Sequence, residues 1–452
     1  MDDSQRYTLS YRASETRPVI QWIKAAQCGS IIGLRGSGKS NFIRFLLRSD
    51  TREHYLGPPH TNFTFVLINL LSLSERSEWA VYEMIVNNLL TQIHPSDTNN
   101  EMLAQLSLVH QGLLRERDPL TAERAVERCV NLLCQQPTRR LVLLFDEFDV
   151  VFRALPASLF RCLRAIRDAY KDQISYIVVG THDLASLRTD LAEEVDHFYR
   201  LVSRNSCWLG AYNEADARQM AGHLAFKHDL TLDENGLTTL LELSAGHAGL
   251  LKSTLSLVWN DGEIGRLSQF TAPDLIKEDT ILRECQKIWG SLSEREKSAL
   301  CAFANKEPVS EATLTHLLKR GLMQQNGANP RGIFSPLFAE YVKQQAPPPQ
   351  TGNFIDRASK IIQLAGRRIE NLTELEEELL YYLHEHHGRI CTKDDLIEHV
   401  YHMQYDYNSA SDEMLQALFS RLRKKIEPEP ERPRYILTVR SQGYKFVLPE
   451  GK

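Results

Sequence analysis

The stretch SIIGLRGSGKSNFIRFLL, Ser30–Leu47, decides the fold of the first half of this chain. An apolar run, SIIGL, gives way to a glycine-rich turn and then to a helical pattern. Gly33, Gly38, Lys39 and Ser40 fit the spacing G-x-x-x-x-G-K-[ST]. Glycines let the backbone fold tightly enough for its N–H groups to face a phosphate, and the helix that follows adds its N-terminal dipole. At this spacing Lys39 would reach the β- and γ-phosphates of a nucleotide and the Ser40 hydroxyl would ligate Mg²⁺. With Arg35, Gly36, Ser37 and Asn41 completing the loop, Gly33–Asn41 is expected to bind ATP and Mg²⁺. The strand before and the helix after set it apart from a chance glycine-rich turn.

Working outward, four more apolar runs read as buried strands: FTFVLINLL (Phe63–Leu71), RLVLLFDE (Arg140–Glu147), ISYIVVGT (Ile174–Thr181) and SCWLG (Ser206–Gly210). Between them, Glu78–Ile93, Ala122–Leu133 and Ala157–Tyr170 carry a helical period. Strands alternating with helices imply a parallel α/β sheet covered on both faces. The run LVLLFDEFD places Asp146 and Glu147 at the carboxyl end of a strand, where open α/β sheets bind ligands. There Asp146 would hold the Mg²⁺ shell and Glu147 would act as the base that orients a water. The alternative is that the two acids merely cap the next helix. Lys39, Asp146 and Glu147 are the expected catalytic set, with Ser40 and Asp146 on the metal.

Composition bounds the rest. The chain has 452 residues, a length that suggests about three domains. At 42% hydrophobic and 25% charged it has enough apolar material for several cores. A formal net charge of −5 argues against a uniformly basic coat, so any nucleic-acid contact must be local. Eight scattered cysteines without a C-x-x-C pair, the nearest being Cys129 and Cys134, read as reduced thiols, neither a disulfide framework nor a zinc site. The polar start MDDSQRYTLSYR lacks the core of a signal peptide, and no apolar run approaches the roughly 20 residues that span a bilayer. A soluble, cytoplasmic protein without membrane contact is expected. The tract QQAPPPQTGN (Gln344–Asn353) reads as a linker.

Together these residues resemble the AAA-related and STAND-type P-loop ATPases, especially the branch near the origin-recognition ATPases. FDEFD is similar to their Walker-B block. YIVVGTHDL is similar to the strand that ends in a polar sensor residue, which makes Thr181 the first candidate and Asp183 the second; an ordinary helix N-cap is the alternative for Thr181. FYRLVSRNSCWLGAYNEADARQM resembles the stretch that carries an arginine finger, with Arg200 and Arg204 as candidates and surface positions as the alternative. LELSAGHAGLLKSTL resembles the Gly-Gly-His-Pro sensor block of the lid, although Ala245 and Ala248 depart from it. That makes Gly246 and His247 nucleotide-proximal by resemblance, or His247 a buried structural residue. Ser291–Val342 resembles the winged-helix segment that follows such a lid, where Lys319 and Arg331 would face DNA unless the segment only packs. The resemblance implies a lone ATPase domain that works as an oligomerising switch.

After the linker, NLTELEEELLYYLHEHHGRICTKDDLIEHVY reads as helix, turn, short helix. Leu372, Leu375, Leu379, Leu380 and Leu383 lie on one stripe, and Thr373 with Glu376 has capping-box spacing. A long helix, a proline-broken loop and two strands around Ser441–Gly443 follow. LTELEEELLYYL, SRLRKKI and ILTVRSQGYKF resemble the effector domain of OmpR/PhoB-type response regulators, a winged helix-turn-helix. The resemblance implies a recognition helix at about Asp412–Ile426 and a wing bearing Thr438, Arg440 and Tyr444. Arg421, Arg423, Lys424 and Lys425 concentrate positive charge suited to phosphates, Ser420 lies on the same helix, and Gln416 could read adenine.

The expected architecture is therefore an α/β P-loop NTPase with a parallel, AAA-like sheet, a helical lid and a winged helix, followed by a C-terminal winged helix-turn-helix. Its boundaries are expected at 1–212 for the core, 213–280 for the lid, 281–345 for the winged-helix segment, 346–356 for the linker and 357–452 for the OmpR-like domain. Three functions fit. The first is a regulator whose ATP state sets oligomerisation and DNA occupancy. The second is an ATPase of DNA transactions (replication loading, transposition or phage defence) with little sequence preference. The third is a signalling scaffold whose winged helix binds protein. DNA, further copies of the chain and other protein subunits are the partners these readings imply.

Overall fold

Five apolar runs become five parallel strands: β1 (Gly29–Gly33), β2 (Phe63–Asn69), β3 (Arg140–Asp146), β4 (Ile174–Gly180) and β5 (Ser206–Leu209). They lie in one sheet in the order β2-β3-β4-β1-β5. The computed structural model describes residues 7–93, 100–188, 193–231, 233–259, 264–326, 329–346, 354–357, 361–364, 367–369, 371–401, 409–427, 429–439 and 442–447. It divides into two units, Met1–Gln345 and Ala346–Lys452.

Side chains along a strand alternate between faces, so a sheet covered on both sides needs apolar residues at every position. Leu141, Leu143 and Phe145 of β3 enter one core with Ile174, Tyr176 and Val178 of β4. Val142, Leu144, Ile177 and Val179 enter the opposite one. Residues from the helices Glu78–Gln92, Pro119–Cys134 and Ala157–Ala169 complete the first layer, close to the segments expected at 78–93, 122–133 and 157–170. Ala13–Lys24, Lys39–Leu47 and Glu214–Lys227 contribute to the second. Each large aliphatic side chain buried this way stabilises by about 1.5–3 kcal/mol.

Every strand stops a residue or two before its apolar run does, and for two of them the cause is visible. Glu147 sits at φ 55°, a left-handed turn that ends β3 at Asp146. Asn69 ends β2 because its side chain accepts the Leu71 N–H and caps a short 3₁₀ turn, Leu70–Ser72, which leaves Leu71 exposed. The strand order also reverses at β1: the chain leaves it for the β2 edge, while β5 pairs on its other side. In open α/β sheets, ligands bind outside the carboxyl ends of the strands near such a reversal.

Beyond β5 come the lid helices Glu214–Lys227, Glu234–Ser244 and Ala248–Ser256. The helices Asp279–Gly290, Glu294–Ala304, Glu311–Lys319 and Pro336–Gln345 then pack with the antiparallel hairpin β6 (Met323–Asn326) and β7 (Asn329–Ile333). Their core includes Ile281, Ile288, Leu300, Leu317, Leu337 and Phe338. None of the described helices is long and apolar enough to cross a membrane. All eight cysteines are free, and all but Cys301 are buried.

The second unit starts with antiparallel β8 (Phe354–Asp356), β9 (Ile361–Leu364) and β10 (Arg367–Arg368). Phe354–Asp356, expected to close the linker, is a strand instead. Helices Glu374–Glu385, Lys393–Tyr401 and Ser409–Ile426 follow, with a sheet ordered β11 (Ile390–Cys391), β13 (Gly443–Phe446), β12 (Ile436–Val439). Leu379, Leu380 and Leu383 enter its core with Leu418, Leu422 and Ile436. Leu375 does not; it is exposed, so the stripe is narrower than its leucines suggest.

Thr373 and Glu376 form the expected capping box, and buried Glu376 also accepts Lys425 Nζ at 2.6 Å. Burial alone would raise the Glu376 pKa, but hydrogen bonds from Lys425 and Thr373 hold it below the usual carboxylate range. Glu376→Ala should therefore open Glu374–Glu385 by about 1–2 kcal/mol. Hydrogen exchange of that helix should speed up roughly fivefold to thirtyfold in the full chain; unchanged exchange would show that the box contributes nothing.

Candidate nucleotide site and nucleic-acid-facing helix

The loop from Gly33 to Gly38 leaves β1 and enters the helix Lys39–Leu47 through residues only glycine accommodates easily. Gly36 and Gly38 have φ 76° and 94°. A Cβ on Gly38 would lie 2.8 Å from Tyr212 Oη. Lys39 is buried, and its Nζ donates to the Gly33 carbonyl at 2.8 Å, the Leu34 carbonyl at 3.1 Å and Thr181 Oγ1 at 3.4 Å. Burial lowers the Lys39 pKa, while Glu147, Asp149 and Asp146 pull it back up. Asp146 is buried and accepts the Glu147 N–H at 3.0 Å. Its pKa is raised by burial and by Glu147 beside it. Lys39, Asp146, Glu147 and Thr181 thus converge at the carboxyl edge of β1, β3 and β4.

Thr181 is not a helix cap. Asp183 takes that part, accepting the Ala185 N–H at 3.2 Å and starting the 3₁₀ turn Leu184–Ser186. Thr181 is instead pinned on three sides. Its N–H donates to Asp149 Oδ2 at 2.9 Å, its hydroxyl meets Lys39, and its carbonyl accepts Arg320 Nη1 at 2.5 Å. Ser40, Arg35 and Gly36 are exposed, Asn41 Nδ2 lies 3.4 Å from Tyr212 Oη, and the buried Ser37 Oγ has no partner. An unpaired hydroxyl in a glycine-rich turn fits an anion acceptor there. The donor set of Lys39, loop N–H groups and Ser37 suits a phosphate, and Ser40 with Asp146 supplies oxygen ligands suited to Mg²⁺.

The lid holds this loop directly. Gly249 N–H donates to the Gly36 carbonyl at 2.9 Å, and His247 Nε2 lies 3.1 Å from the Arg35 carbonyl. His247 Nδ1 accepts the Leu250 N–H at 3.3 Å, which leaves Nε2 as the donor. Burial pushes the His247 pKa down to about 4, so the ring clamps the loop as a neutral group. His247 is thus a buried residue that touches the loop. Gly246, at φ 72°, lets the chain turn against the Tyr212 backbone.

Several residues of the site carry no local signal. Buried Arg12 donates through Nη2 to the carbonyls of Ser37 at 2.9 Å and Gly210 at 2.8 Å, and its guanidinium lies 4.6 Å from the Tyr212 ring centre. Glu284 Oε1 lies where a Cβ on Gly36 would come within 2.2 Å. Behind Tyr212 is a cavity of about 340 Å³ lined in part by Ala217, Arg218, Leu241 and Gly246. Asp149, which holds the Thr181 and His182 N–H groups, is by contrast the last acid of FDEFD and carries a signal of its own.

Arg200 and Arg204 are surface residues. Arg200 is exposed and pairs with Asp196 at 2.7 Å; Arg204 is exposed. In the winged-helix segment Lys319 Nζ stands 4.8 Å from the Trp208 ring centre. The Arg331 side chain lies outside the described residues.

In the second unit, the helix Ser409–Ile426 turns Leu415, Leu418, Phe419, Leu422 and Ile426 inward. Gln416, Ser420, Arg421 and Lys424 are exposed. Three residues expected on DNA are used inside the unit. Tyr444 is 6% exposed and stacks on Phe419 with ring centres 3.7 Å apart. Arg423 Nη2 donates to the Ile436 carbonyl at 2.7 Å and to Thr438 Oγ1 at 2.9 Å. Lys425 Nζ donates to the Asn371 carbonyl at 2.7 Å besides meeting Glu376. Thr438 remains exposed, although its hydroxyl receives Arg423. Arg440 lies outside the described residues.

Comparison with known proteins agrees with both halves. Residues 23–187 match the AAA domain family, and residues 366–446 match the family described as transcriptional regulatory protein, C terminal. The alkaline phosphatase synthesis transcriptional regulatory protein PhoP of Bacillus subtilis is 41% identical over 80 residues, which are 18% of this chain and 32% of that regulator. The chain thus spans about a third of the length of that curated relative. Among solved structures, a Walker-type ATPase of Pyrococcus abyssi is similar at 17% identity and a TM-score of 0.48, over 74% of this chain and 95% of that one. The RstA DNA-binding domain of Klebsiella pneumoniae, solved in complex with the RstA box, is 31% identical over 21% of this chain and 88% of its own, at a TM-score of 0.19. The chain thus carries two separate regions of likeness, residues 23–187 to AAA domains and residues 366–446 to the C-terminal domain of transcriptional regulatory proteins.

Proposed function

We propose that this protein is an ATP-driven switch whose nucleotide state sets its assembly, and through assembly its occupancy of DNA. One observation carries the reading: Lys39, Thr181, Asp146 and Glu147 converge at one sheet edge on a chain that ends in a regulator-type DNA-binding domain. Gly33–Asn41 would hold the phosphates, Ser40 and Asp146 the Mg²⁺, and Glu147 the attacking water. Thr181 and neutral His247 would sense the bound phosphate. The cavity behind Tyr212 has a volume within the range of small-molecule sites and shares Tyr212 with the loop, whose Asn41 Nδ2 lies 3.4 Å from the Tyr212 hydroxyl.

Slow hydrolysis suits such a switch, since the ATP-bound form must persist long enough to act. Arg200 and Arg204 would serve as the arginine finger toward a neighbouring copy, a reading supported by their exposure. Several linked winged helices would add avidity without new base contacts. On the DNA side, Gln416, Ser420, Arg421 and Lys424 form the available face, with Thr438 at the wing.

A second reading, an ATPase of DNA transactions with little sequence preference, has its own support. Asp412 is held by Lys393 at 2.5 Å and Glu413 is exposed, so the N-terminal half of the helix offers few donors for base edges.

Lys39→Ala should abolish ATP binding by the full chain in calorimetry. Glu147→Gln should keep binding and slow hydrolysis by roughly 10²–10⁴-fold. Unchanged ATP affinity in the first variant would sink the nucleotide reading. Changing Arg421 and Lys424 together to Ala should weaken DNA binding for all sequences and flatten the salt slope by about 0.9 for each phosphate no longer neutralised. Arg423→Ala and Lys425→Ala should instead lower the melting temperature of the second unit. The opposite pattern, with DNA binding abolished only in the latter pair and stability unchanged, would reverse the assignment.

A further inference from the structure

Arg320 is a deeply buried cation near the nucleotide loop to which the proposed switch gives no task. It caps the helix Glu311–Lys319, in the winged-helix segment, and its side chain is only 3% exposed. Nε donates to Glu296 Oε1 at 2.9 Å, and Nη1 donates to the Thr181 carbonyl at 2.5 Å. Its Nη2 is buried and has no hydrogen-bond partner, although the guanidinium carbon lies 5.9 Å from the Trp208 ring centre. Thr181 receives Lys39 on its hydroxyl and Arg320 on its carbonyl, and the charges of Lys39 and Arg320 are near enough to repel.

A structural tie accounts for two of these nitrogens but not the third. Leaving a buried charged donor unpaired is costly, and placing it beside a second buried cation adds to that cost. An anion between the two would relieve both. A guanidinium fork is suited to phosphate oxygens, and a third phosphate would extend from Lys39 towards Thr181. We propose that Arg320 reads the terminal phosphate of bound ATP, supplied to the site by the winged-helix segment of the same chain.

This rests on the reading of Gly33–Asn41 as an ATP site and adds a route out of it. Glu296 binds Arg320, accepts His316 Nε2 at 3.0 Å and closes a capping box with Ser293. Burial would raise the Glu296 pKa, but His316, Arg320 and Ser293 together hold it well below the usual carboxylate range. The carboxylate therefore stays charged and ties Arg320 to two helices, Glu294–Ala304 and Glu311–Lys319. Arg320 already ties the segment to the sheet edge through the Thr181 carbonyl; with ATP the terminal phosphate adds a second tie there, and with ADP only the first remains.

The test is calorimetric titration of the full chain with a non-hydrolysable ATP analogue and with ADP. Arg320→Gln should weaken the analogue about tenfold to hundredfold, the size of one charge-assisted hydrogen bond, and change ADP by less than about threefold. Arg320→Lys should recover part of the analogue affinity. Glu296→Gln should lower the melting temperature and keep the ratio of the two affinities nearer wild type than Arg320→Gln does. Equal losses for both ligands, or none, would make Arg320 a packing tie and overturn the proposal. Should Arg320→Gln fail to fold, Arg320→Lys decides on the same criterion: a selective loss of the analogue supports the proposal and an unchanged ratio overturns it. Wild-type protein that binds neither ligand, or Lys39→Ala that binds both normally, would overturn the underlying ATP reading as well.

Discussion

A buried ammonium organises this protein. Lys39 sits out of water at the start of a helix, where burial disfavours its charge, and the surrounding chain must compensate. It does so with oxygens from three places: the Gly33 and Leu34 carbonyls of its own loop, the Thr181 hydroxyl beyond β4, and the field of Asp146, Glu147 and Asp149 beyond β3. These groups meet only because β3, β4 and β1 are consecutive in the sheet. The strand order is thus a requirement of the site as much as a property of the fold.

Around that centre, segments distant in sequence hold the loop from outside. Arg12 holds the Ser37 carbonyl, His247 the Arg35 carbonyl and Gly249 the Gly36 carbonyl. Three successive loop carbonyls are thereby turned outward, which leaves the N–H side of the turn to face an anion. The N-terminal segment and the lid therefore share one small loop. A ligand that shifts the loop must shift its contacts with both, and this gives the switch reading a physical basis.

Much of this is legible in the sequence because it is encoded locally. The apolar runs give strands whose limits differ by a residue or two, and Gly33–Ser40 lies where a strand–turn–helix pattern must place it. Arg12, Tyr212, Glu284 and Arg320 are not legible in this way, because they reach the loop from segments whose own patterns say nothing of it. No periodicity marks an arginine whose partner, Thr181, lies 139 positions away. In the C-terminal helix the basic cluster is visible, but not the direction of each side chain. A helical period puts Ser420 and Lys424 opposite Leu422 and puts Lys425 beside it. Arg421 and Arg423 lie symmetrically to either side, and only the position of β12 draws Arg423 inward. Tyr444 misleads for a similar reason, because alternation along a wing strand does not say which face meets Phe419.

The most direct measurement is a nuclease footprint of the full chain on genomic DNA, taken with ATP and Mg²⁺, with ADP and Mg²⁺, and without nucleotide. The account predicts protection that is strongest with ATP, confined to few sites, and diminished with ADP. Protection that is the same in all three conditions would contradict it, since nucleotide state would then have no bearing on which DNA is held.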